Sequence, residues 1–298
     1  MTALARRLGW SALRLPGRVG LDLHPIATPR HRLAGFRLQW THDDPSTLRC
    51  IVVNATVARQ RVTFFVVNEF DIIQRVHLQG RFYEQEELDL IASRFNGGVF
   101  VDIGANVGNH VLYAARILGA SKVIAFEPNP AALRVLELNV AGNGLQDRVV
   151  LHALGLADRA GWASLSTPNE NNLGGTRLSP HAGDKDGARH KAGDDVDKAG
   201  DGGNGSSDGD RGLRLVRGDD VLAREQVDFI KIDTEGLELS VLLGLAETIG
   251  RCRPVMFVEV DDRNIPAFAA FCAGARYETA ATFKRYPGNT NFLVTPLA

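Results

Sequence analysis

From residue 99 to residue 260, short apolar runs alternate with longer stretches in which apolar and polar positions repeat at helical spacing. The apolar runs predict strands, and the amphipathic stretches predict helices. The predicted strands are Val99–Ile103, Lys122–Phe126, Val149–Leu154, Val227–Ile232 and Pro254–Val260, and the predicted helices are Val107–Leu118, Pro130–Val140 and Leu237–Ile249. Strands that are apolar on both faces and alternate with helices are typical of a parallel sheet covered on both sides. The pattern therefore predicts a doubly wound, mostly parallel α/β fold.

Residues 35–98 predict a small extension of strands and one helix in front of this repeat. The apolar run Val62–Val67 predicts a buried strand, and Tyr83–Phe95 has apolar residues at helical spacing among acids. Beyond the repeat, Tyr277–Leu297 predicts a closing β-hairpin. The main domain is thus expected to span residues 99–298.

The first 34 residues predict a basic, poorly ordered lead-in. Residues 1–61 contain ten Arg against three Asp, a local excess of +7. Leucines at loose helical spacing in the first twenty residues also fit a transit peptide or a membrane-surface helix. Pro16 and Gly17 interrupt that pattern early, so the poorly ordered lead-in is the preferred interpretation.

Residues 179–212 predict a disordered insertion within the main domain. The segment consists largely of Gly, Asp, Ala, Lys and Ser, and Val196 is its only large apolar residue. Burial of such a segment cannot offset the entropy lost on ordering it. Its Asp-Gly pairs match neither an EF-hand loop nor a clean calcium-binding nonapeptide repeat.

Composition adds limits to this picture. Hydrophobic residues make up 44% of the 298 residues and charged residues 23%, which is ordinary for a soluble globular protein. The net charge of −1 predicts no general attraction to nucleic acid or membrane, and no apolar run is long enough for a membrane span. Three widely spaced cysteines, Cys50, Cys252 and Cys272, form no metal-ligand spacing and fit a reducing, cytoplasmic setting.

Candidate ligand-binding chemistry is concentrated in Val101–Gly108, where a predicted strand ends and a helix begins. In a doubly wound sheet, ligands bind at this carboxyl edge. Gly104 allows a ligand to approach the backbone closely, and Gly108 allows tight packing of the following helix. The next strand ends in Glu127, 23 residues after Gly104, a spacing at which a carboxylate binds ribose hydroxyls. A nucleoside-containing ligand is therefore expected.

Two classes of ligand fit a glycine turn followed by an acid, namely nicotinamide dinucleotides and S-adenosylmethionine. The turn reads G-x-x-x-G, which lacks the middle glycine of the dinucleotide fingerprint. Asp102 would also repel a pyrophosphate by several kcal/mol at an effective dielectric constant of about 20. S-adenosylmethionine has no phosphate and carries an ammonium and a sulfonium group. Asp102 therefore favours S-adenosylmethionine over a nicotinamide cofactor.

A third motif lies in Asp228–Glu238, where a buried strand carries Lys231 and ends in Asp233. Glu235 and Glu238 follow, three positions apart, and are expected to face the same side of a helix. Favourable charge at a helix N-terminus explains Glu238. It does not explain three acids at the carboxyl end of a central strand, so a functional role for this motif is preferred.

The segments VFVDIGANVGNH, VIAFEPNP and VDFIKIDTEGLE, in this order, resemble the FkbM family of methyltransferases. The upstream stretch VVNEFDIIQRVHLQGRFYEQEEL is similar to one that precedes the first motif in that family. The resemblance covers about residues 62–178 and 213–260. It implies a class I methyltransferase fold, which is a Rossmann-like seven-stranded sheet with one antiparallel strand near the C-terminus. It also implies O-methylation of a hydroxyl on a sugar, glycan or secondary metabolite.

The resemblance assigns roles to individual positions. The positions that match the family's cofactor-binding residues are Asp102, Gly104, Asn106, Gly108 and Glu127. Asp233 and Glu235 match the acidic motif at the reaction end of the cleft. The segment 179–212 departs from the short connection usual in the family. The residues expected to border the active site near it are Asn171, Asn172, Gly174 and Gly175.

An alcohol acceptor loses a proton as it attacks, so a general base is expected. Asp233 and Glu235 are the first candidates, because burial raises a carboxyl pKa toward working pH. The pair could instead hold Mg²⁺, with Glu259 or Asp261, although a metal is not favoured. His110 is the third candidate base, against the alternative of a surface or capping histidine. His77 and His152 are expected to be structural.

Other functions are weighed by what the sequence lacks. It contains no Asn/Asp-Pro-Pro-aromatic run for methylating a base amine, and no preceding proline activates Cys252 for attack on a pyrimidine. The expected partner is a small-molecule or glycan hydroxyl acceptor, and no nucleic acid is expected. A non-catalytic binding module on the same fold and a nicotinamide-dependent oxidoreductase remain as alternatives.

Overall fold

A computed structural model describes residues 20–26, 35–41, 49–166, 175, 177–181 and 212–298. Most of the predicted lead-in and most of the predicted insertion lie outside the described residues. So do Asn171, Asn172 and Gly174, whereas Gly175 is described.

The N-terminal extension is an antiparallel sheet followed by two short helices. Its strands are β1 (Gly20–Ile26), β2 (Gly35–Thr41), β3 (Arg49–Val57) and β4 (Gln60–Val66), paired in that order. The helices are α1 (Ile72–His77) and α2 (Gln85–Ala92). The helix predicted to begin at Tyr83 starts two residues later, because Glu84 has a left-handed backbone, which no α-helical residue adopts.

The first half of the main domain carries the elements that border the predicted cleft. They are β5 (Val99–Ile103), α3 (Asn109–Leu112), a π-helical turn (Tyr113–Ile117), β6 (Lys122–Phe126), α4 (Pro130–Gly142), β7 (Val149–His152), β8 (Gly155–Leu156), β9 (Gly161–Ser166) and β10 (Arg177–Pro180). β10 includes Ser179 and Pro180, the first two residues of the predicted insertion.

The second half completes the sheet. Its elements are β11 (Leu213–Val216), α5 (Gly218–Leu222), β12 (Phe229–Ile232), α6 (Glu238–Leu243), α7 (Ala246–Cys252), β13 (Val255–Asp261), a 3₁₀ turn (Asp262–Asn264), α8 (Ile265–Gly274), β14 (Tyr277–Phe283) and β15 (Asn289–Pro296). None of the helices in the described ranges has both the length and the apolar character needed to cross a bilayer.

A seven-stranded sheet forms the centre of the molecule, in the order β14-β15-β13-β12-β5-β6-β7. The pairs β5–β6, β6–β7, β5–β12 and β12–β13 are parallel, and β15 runs antiparallel to both β13 and β14. The predicted doubly wound, mostly parallel α/β fold with one antiparallel strand is confirmed. Strand order reverses between β5 and β12, so the loops after these two strands flank the crevice in which such sheets bind ligands.

The sheet is covered by apolar residues on both faces. Phe100 on β5 stacks on Phe229 on β12 with ring centroids 5.1 Å apart, in a cluster that also includes Phe64 of the extension. The opposite face packs Ile103 and Ile230 against the helices that follow β12. Burial of each such side chain stabilises the fold by about 1.5–3 kcal/mol. The extension therefore shares one core with the main domain.

The side-chain amides of Asn139 on α4 and of Asn143, the residue that follows this helix, satisfy the backbone of strand β4. Asn139 accepts a hydrogen bond from the N–H of Phe65 at 2.8 Å and donates to the carbonyl of Val107 at 2.7 Å. Asn143 accepts from the N–H of Thr63 at 2.9 Å and donates to its carbonyl at 2.6 Å. An unpaired backbone group at this buried edge would cost about 1–3 kcal/mol, so the two amides fix the extension against α4.

Two predicted helices of the main domain are interrupted or start late in the structure. The helix predicted at Val107–Leu118 begins only at Asn109, because Gly108 has a left-handed backbone at φ 91°. It then continues into the π-helical turn. The helix predicted at Leu237–Ile249 is divided into α6 and α7. The division lies at Gly244, where a Cβ would stand 2.0 Å from the carbonyl oxygen of Ala157.

Candidate active site

The loop after β5 requires glycine at two positions for two different reasons. Gly104 has φ 80°, and a Cβ there would lie 1.8 Å from the carbonyl oxygen of Asp233. The close approach is therefore to the loop after β12, where the sequence predicted an approach to a ligand. At Gly108 a Cβ would lie 2.6 Å from Cδ1 of Leu136 on α4. This contact agrees with the tight helix packing expected there.

Glu127, at the end of β6, joins two loops of the cleft. One carboxylate oxygen accepts a hydrogen bond from the N–H of Asn106 at 2.7 Å, and the other accepts from the N–H of Asn129 at 2.8 Å. The side chain is only 7% exposed, and burial raises its pKa to about 7, although the two N–H groups act in the opposite direction. Each oxygen keeps a second lone pair that can accept a hydrogen bond from a ligand.

A first cavity opens at Glu127, between the loops that follow β5, β6, β7 and β12. Its apolar walls are formed by Phe126, Leu154, Leu156 and Leu178. Asn106 lies at its inner end with a left-handed backbone at φ 48°. The buried Oδ1 atom of Asn106 has no hydrogen-bond partner among the described residues. The first cavity therefore combines apolar walls with unused hydrogen-bond acceptors.

A second cavity, of about 300 Å³, adjoins the first and is strongly acidic. We call it the acidic cavity and define it by the carboxylates of Glu84, Asp233, Glu235 and Glu259, together with Lys231. The two cavities share four lining residues, which are Gly104, Asn106, Asp233 and Glu235. The predicted catalytic acids Asp233 and Glu235 therefore lie where the cavities meet, beside the predicted cofactor-binding loop.

Among the described residues that line the acidic cavity, Lys231 is the only cation. Its Nζ lies 3.4 Å from Oδ1 of Asp102 and 3.3 Å from Oδ2 of Asp233. Burial alone would lower the pKa of Lys231, but the neighbouring carboxylates outweigh burial and raise it. Asp102 is fully buried and lines neither cavity. The sequence predicted that Asp102 attracts a cationic ligand. Because Lys231 lines the cavity and Asp102 does not, that attraction would have to act past the ammonium of Lys231.

The pKa values of Glu84, Glu235 and Glu259 in the acidic cavity are raised. Burial, followed by repulsion from Asp233, raises the pKa of Glu84 to about 8, of Glu235 to about 7 and of Glu259 to about 9. These values lie near or above neutral pH, whereas an ordinary glutamate is fully ionised there. At neutral pH, the carboxyl groups of Glu84, Glu235 and Glu259 therefore hold protons to a much greater extent than ordinary glutamates do.

Three of these acids also satisfy the geometry of a metal site. One oxygen each from Asp233, Glu235 and Glu259 lies within 4.8 Å of the others. Asp261, the other residue expected near such a site, is paired with Arg263 at 2.6 Å. Glu259 is therefore the residue that joins the predicted pair.

Glu238 does not join the acids of this motif. Its carboxylate accepts hydrogen bonds from the N–H of Asp261 at 3.1 Å and from the side chain of Asn264 at 2.7 Å. It lines neither cavity. The expectation that Glu235 and Glu238 face the same side is wrong, because α6 begins only at Glu238 and Glu235 lies in a left-handed turn before it.

The three histidines singled out in the sequence occupy buried or half-buried positions. His110 lines the acidic cavity, is 7% exposed, and burial lowers its pKa well below the usual value. The alternative of a surface position for His110 is therefore wrong. His77 stacks on Phe64 at 4.5 Å, and His152 stacks on Phe126 at 4.9 Å.

Residues 62–95 and the region after Glu259 were expected to supply pocket walls, and both line the acidic cavity, but the sequence did not single out the individual residues of that wall. The residues concerned are Tyr83 and Glu84 in the extension and Tyr286 and Asn289 in the hairpin, and Asn109 at the start of α3 lies beside them. Glu84 stood inside a predicted amphipathic helix, where one acid among several gives no signal. Its backbone conformation, φ 59° and ψ 49°, is what separates it from the helix.

Part of the chain is similar to known methyltransferases. The sequence profile of the methyltransferase FkbM domain matches residues 102–279. The methyltransferase sdnD of Sordaria araneosa is 34% identical over 170 residues, which are 53% of this chain and 64% of sdnD. The chain thus spans less than two thirds of that relative.

Two solved structures are among those that align with the chain. The methyltransferase FkbM from Methylobacillus flagellatus KT has a TM-score of 0.44 at 14% identity, over 76% of this chain and 56% of the other. An rRNA methylase from Streptococcus thermophilus has a TM-score of 0.42 at 12% identity, over 72% of this chain and 95% of the other. Because the matched profile covers more than half of its 298 residues, the chain belongs to the methyltransferase FkbM domain family.

Proposed function

We propose that this protein transfers a methyl group from S-adenosylmethionine to a hydroxyl of a sugar, glycan or secondary metabolite. The observation that carries the proposal is the junction of the two cavities at Gly104, Asn106, Asp233 and Glu235. One cavity has the walls and the acid that a nucleoside needs, and the other has carboxylates that bind hydroxyl groups. A group held across the junction would pass directly from one ligand to the other.

The first cavity fits the nucleoside part of the donor. The free lone pairs of Glu127 would accept hydrogen bonds from the two ribose hydroxyls, and the apolar walls would enclose the adenine ring. The unpartnered Oδ1 of Asn106 would accept a hydrogen bond from a donor group of the amino-acid end. These residues support S-adenosylmethionine as the ligand.

Charge separates this ligand from a nicotinamide dinucleotide. The acidic cavity holds four carboxylates and one ammonium, with Asp102 behind them. Two like charges 4 Å apart repel by about 4 kcal/mol at an effective dielectric constant of 20. A pyrophosphate beside this cavity is therefore disfavoured, and a sulfonium is favoured.

S-adenosylmethionine supplies a methyl group on a positively charged sulfur, so that attack by an oxygen lone pair breaks the carbon–sulfur bond and leaves the electron pair on sulfur. The protein then needs to hold the acceptor oxygen in line and to accept its proton. Positioning can supply about 7–11 kcal/mol of the barrier, and a general base a factor of about 10²–10⁴. Carboxylates of the acidic cavity serve both purposes, and Asp233 and Glu235 among them lie at the junction, where the acceptor oxygen meets the donor.

His110 is a weaker candidate for the base. Burial keeps its imidazole neutral and lowers its pKa well below the usual value, which makes it a poor proton acceptor at neutral pH. Three glutamates of the same cavity, Glu235, Glu84 and Glu259, have pKa values of about 7, 8 and 9. A group with a pKa near the working pH transfers protons most effectively, so a glutamate carboxylate is preferred over His110.

A second role for the same acids is to hold Mg²⁺. The spacing of Asp233, Glu235 and Glu259 favours this role, in which the metal would polarise the acceptor hydroxyl. We prefer the metal-free role, because the ammonium of Lys231 already pairs with Asp233 and neutralises one of the three ligands.

The test is ligand binding followed by methyl transfer. Calorimetry of the full chain with S-adenosylmethionine, S-adenosylhomocysteine and NAD should give micromolar binding of the two sulfur ligands and no heat with NAD. Transfer of a tritiated methyl group to a set of methyl glycosides and phenols then identifies the acceptor class. Binding without transfer to any acceptor would favour a non-catalytic module, and binding of NAD alone would favour an oxidoreductase.

A further inference from the structure

We propose that Glu84 is a further catalytic residue of this protein, which contacts the acceptor in the acidic cavity and accepts the proton of its reacting hydroxyl. The inference rests on the proposed function and adds to it a residue from outside the matched family profile, which begins at residue 102. It is carried by the backbone of Glu84, by the contacts that fix it and by its place in the cavity.

The backbone of Glu84 is held in a conformation that side chains other than glycine seldom adopt. Its φ of 59° and ψ of 49° lie in the left-handed region. Such a conformation persists only where surrounding contacts enforce it, and it is common where a side chain is aimed at a ligand. Glu84 is one of a few non-glycine residues with this conformation in the described chain, and Asn106 and Glu235 beside the same cavity are others.

One set of contacts fixes the residue immediately before Glu84. The amide of Asn109 accepts a hydrogen bond from the N–H of Tyr83 at 2.9 Å and donates one to the carbonyl of Tyr83 at 3.0 Å. The same amide oxygen lies 3.0 Å from Nε2 of His77. Because Asn109 opens the helix that follows the glycine loop, these bonds tie Glu84 to the predicted donor site.

A second set of contacts ties the residues on both sides of Glu84 to the C-terminal hairpin. Arg285, in the loop between β14 and β15, donates a hydrogen bond to Glu87 at 2.7 Å and also pairs with Glu86. The hydroxyls of Tyr83 and Tyr286 lie 2.8 Å apart. Glu84 is therefore held between the start of α3 and the C-terminal hairpin.

The other acids of the acidic cavity are placed less well to take this proton. Asp233 is paired with Lys231, and Glu259 accepts a hydrogen bond from Asn289. Glu235 lines both cavities, which places it beside the donor, whereas Glu84 lines only the acidic cavity. The carboxylate of Glu84 has no hydrogen bond or ion pair within the described part of the chain. In an in-line transfer the proton leaves on the acceptor side, where Glu84 lies.

The charged surroundings of Glu84 suit a proton acceptor. The ionisable groups that act on Glu84 are Asp233, Glu259, Lys231, Glu87, Arg285 and Tyr83, and the other titratable groups that line the same cavity are Glu235, His110 and Tyr286. Burial, then repulsion by Asp233 and Glu87, raises the pKa of Glu84 to about 8, with Lys231 and Arg285 opposing the rise. The reacting hydroxyl would pass its proton to the ionised form, and solvent would later remove it.

The test compares S-adenosylmethionine with S-adenosylhomocysteine, because the two differ by the positively charged methylsulfonium. Calorimetry on the full chain in two buffers of different ionisation enthalpy measures both affinity and proton release. In the wild type, S-adenosylmethionine should release more protons than S-adenosylhomocysteine. Glu84→Gln should reduce that difference and lower the affinity ratio of the two ligands about tenfold, as expected for loss of one charge from the cavity. The same substitution should lower kcat for methyl transfer by about 10²- to 10⁴-fold.

Two variants control for effects on folding. Glu84→Gly also removes the carboxylate, but glycine adopts the left-handed conformation without strain, so its thermal midpoint should equal or exceed that of the wild type. Glu69→Gln removes an exposed glutamate that lines neither cavity and should change nothing. An unchanged affinity ratio and unchanged proton release in both Glu84 variants would overturn the inference. Failure of the wild type to bind either sulfur ligand would instead overturn the proposed function.

Discussion

The ammonium of Lys231 on β12 lies 3.4 Å from the carboxylate of Asp102, its register partner on β5. Asp102 is fully buried and Lys231 is 4% exposed. The acid of the first motif and the lysine of the third motif are therefore one buried ion pair that joins the two central strands. A buried pair of this kind stabilises the fold only while both partners are present.

Replacing Lys231 by methionine should destabilise the protein by about 3–5 kcal/mol, because it leaves Asp102 buried without its cation. Urea unfolding followed by circular dichroism measures the change. The double variant Asp102→Asn/Lys231→Met should recover much of the loss, since no buried charge then remains. Additive losses in the double variant would show that the two side chains are not coupled.

Glu127→Ala should weaken binding of S-adenosylmethionine and S-adenosylhomocysteine equally, because Glu127 is expected to bind the ribose that both share. The loss of a hydrogen bond to a charged group corresponds to about 1.5–3 kcal/mol, or roughly 10- to 150-fold in affinity. Calorimetry measures it. Glu137→Ala, an exposed position on α4, is the matched control. Equal affinities of the Glu127 variant and the wild type would remove Glu127 from the predicted binding site.

Gly104→Ala and Gly119→Ala should differ sharply in stability. Both positions have positive φ, but a Cβ at Gly104 would lie 1.8 Å from the carbonyl oxygen of Asp233, whereas nothing lies within 4 Å at Gly119. Gly119→Ala should cost only the left-handed strain, about 1–2 kcal/mol. Gly104→Ala should cost more than this and should also disturb the loop that carries Asp233. Similar unfolding free energies for the two variants would contradict the close approach of the two loops.

The free energy of unfolding without ligand should fall as pH rises from about 5 to about 9. Glu235, Glu84 and Glu259 have pKa values raised from 4.5 to about 7, 8 and 9. Each folded-state carboxyl in this window holds a proton that the unfolded chain has lost, so stability is present below 4.5 and decreases through the window. The slope is at most about 1.4 kcal/mol per pH unit for each proton. Urea titrations at several pH values measure it, and Glu259→Gln should flatten the upper part of the curve.

Methyl transfer should persist in the presence of EDTA, because Lys231 already neutralises Asp233 and the acids act as bases. The measurement is the rate of tritiated methyl transfer before and after chelation, with and without added Mg²⁺. A loss of activity that Mg²⁺ restores would assign Asp233, Glu235 and Glu259 as metal ligands instead.

The elements of the sheet could be predicted because their signals are local. Val99–Ile103 and Lys122–Phe126 are strands with the predicted bounds, and α4 begins at Pro130 as expected. Each has a continuous apolar run or a proline at a favourable first position. The break in the helix predicted at Leu237–Ile249 was missed because it depends on a contact with a residue that is distant in sequence. Gly244 illustrates this, since the carbonyl that crowds it belongs to Ala157.

The same contrast applies to the site. Motif spacing and family resemblance brought Glu127, Asp233 and Glu235 to the edge of one cleft. They did not reveal that Lys231 would pair with Asp102, because register between β5 and β12 joins residues that are 129 positions apart in sequence. Nor did they find Glu84, whose role depends on a backbone angle that periodicity does not encode.

The amides of Asn139 and Asn143, which hold β4 against α4, determine how this protein could be divided. A fragment cut at residue 102, where the family profile begins, would lose their backbone partners in β4 and the wall that carries Glu84. A shortened or chimeric protein that keeps these contacts would therefore have to begin upstream of β3. The part of the chain that shares one core is therefore the matched profile together with β3 and β4.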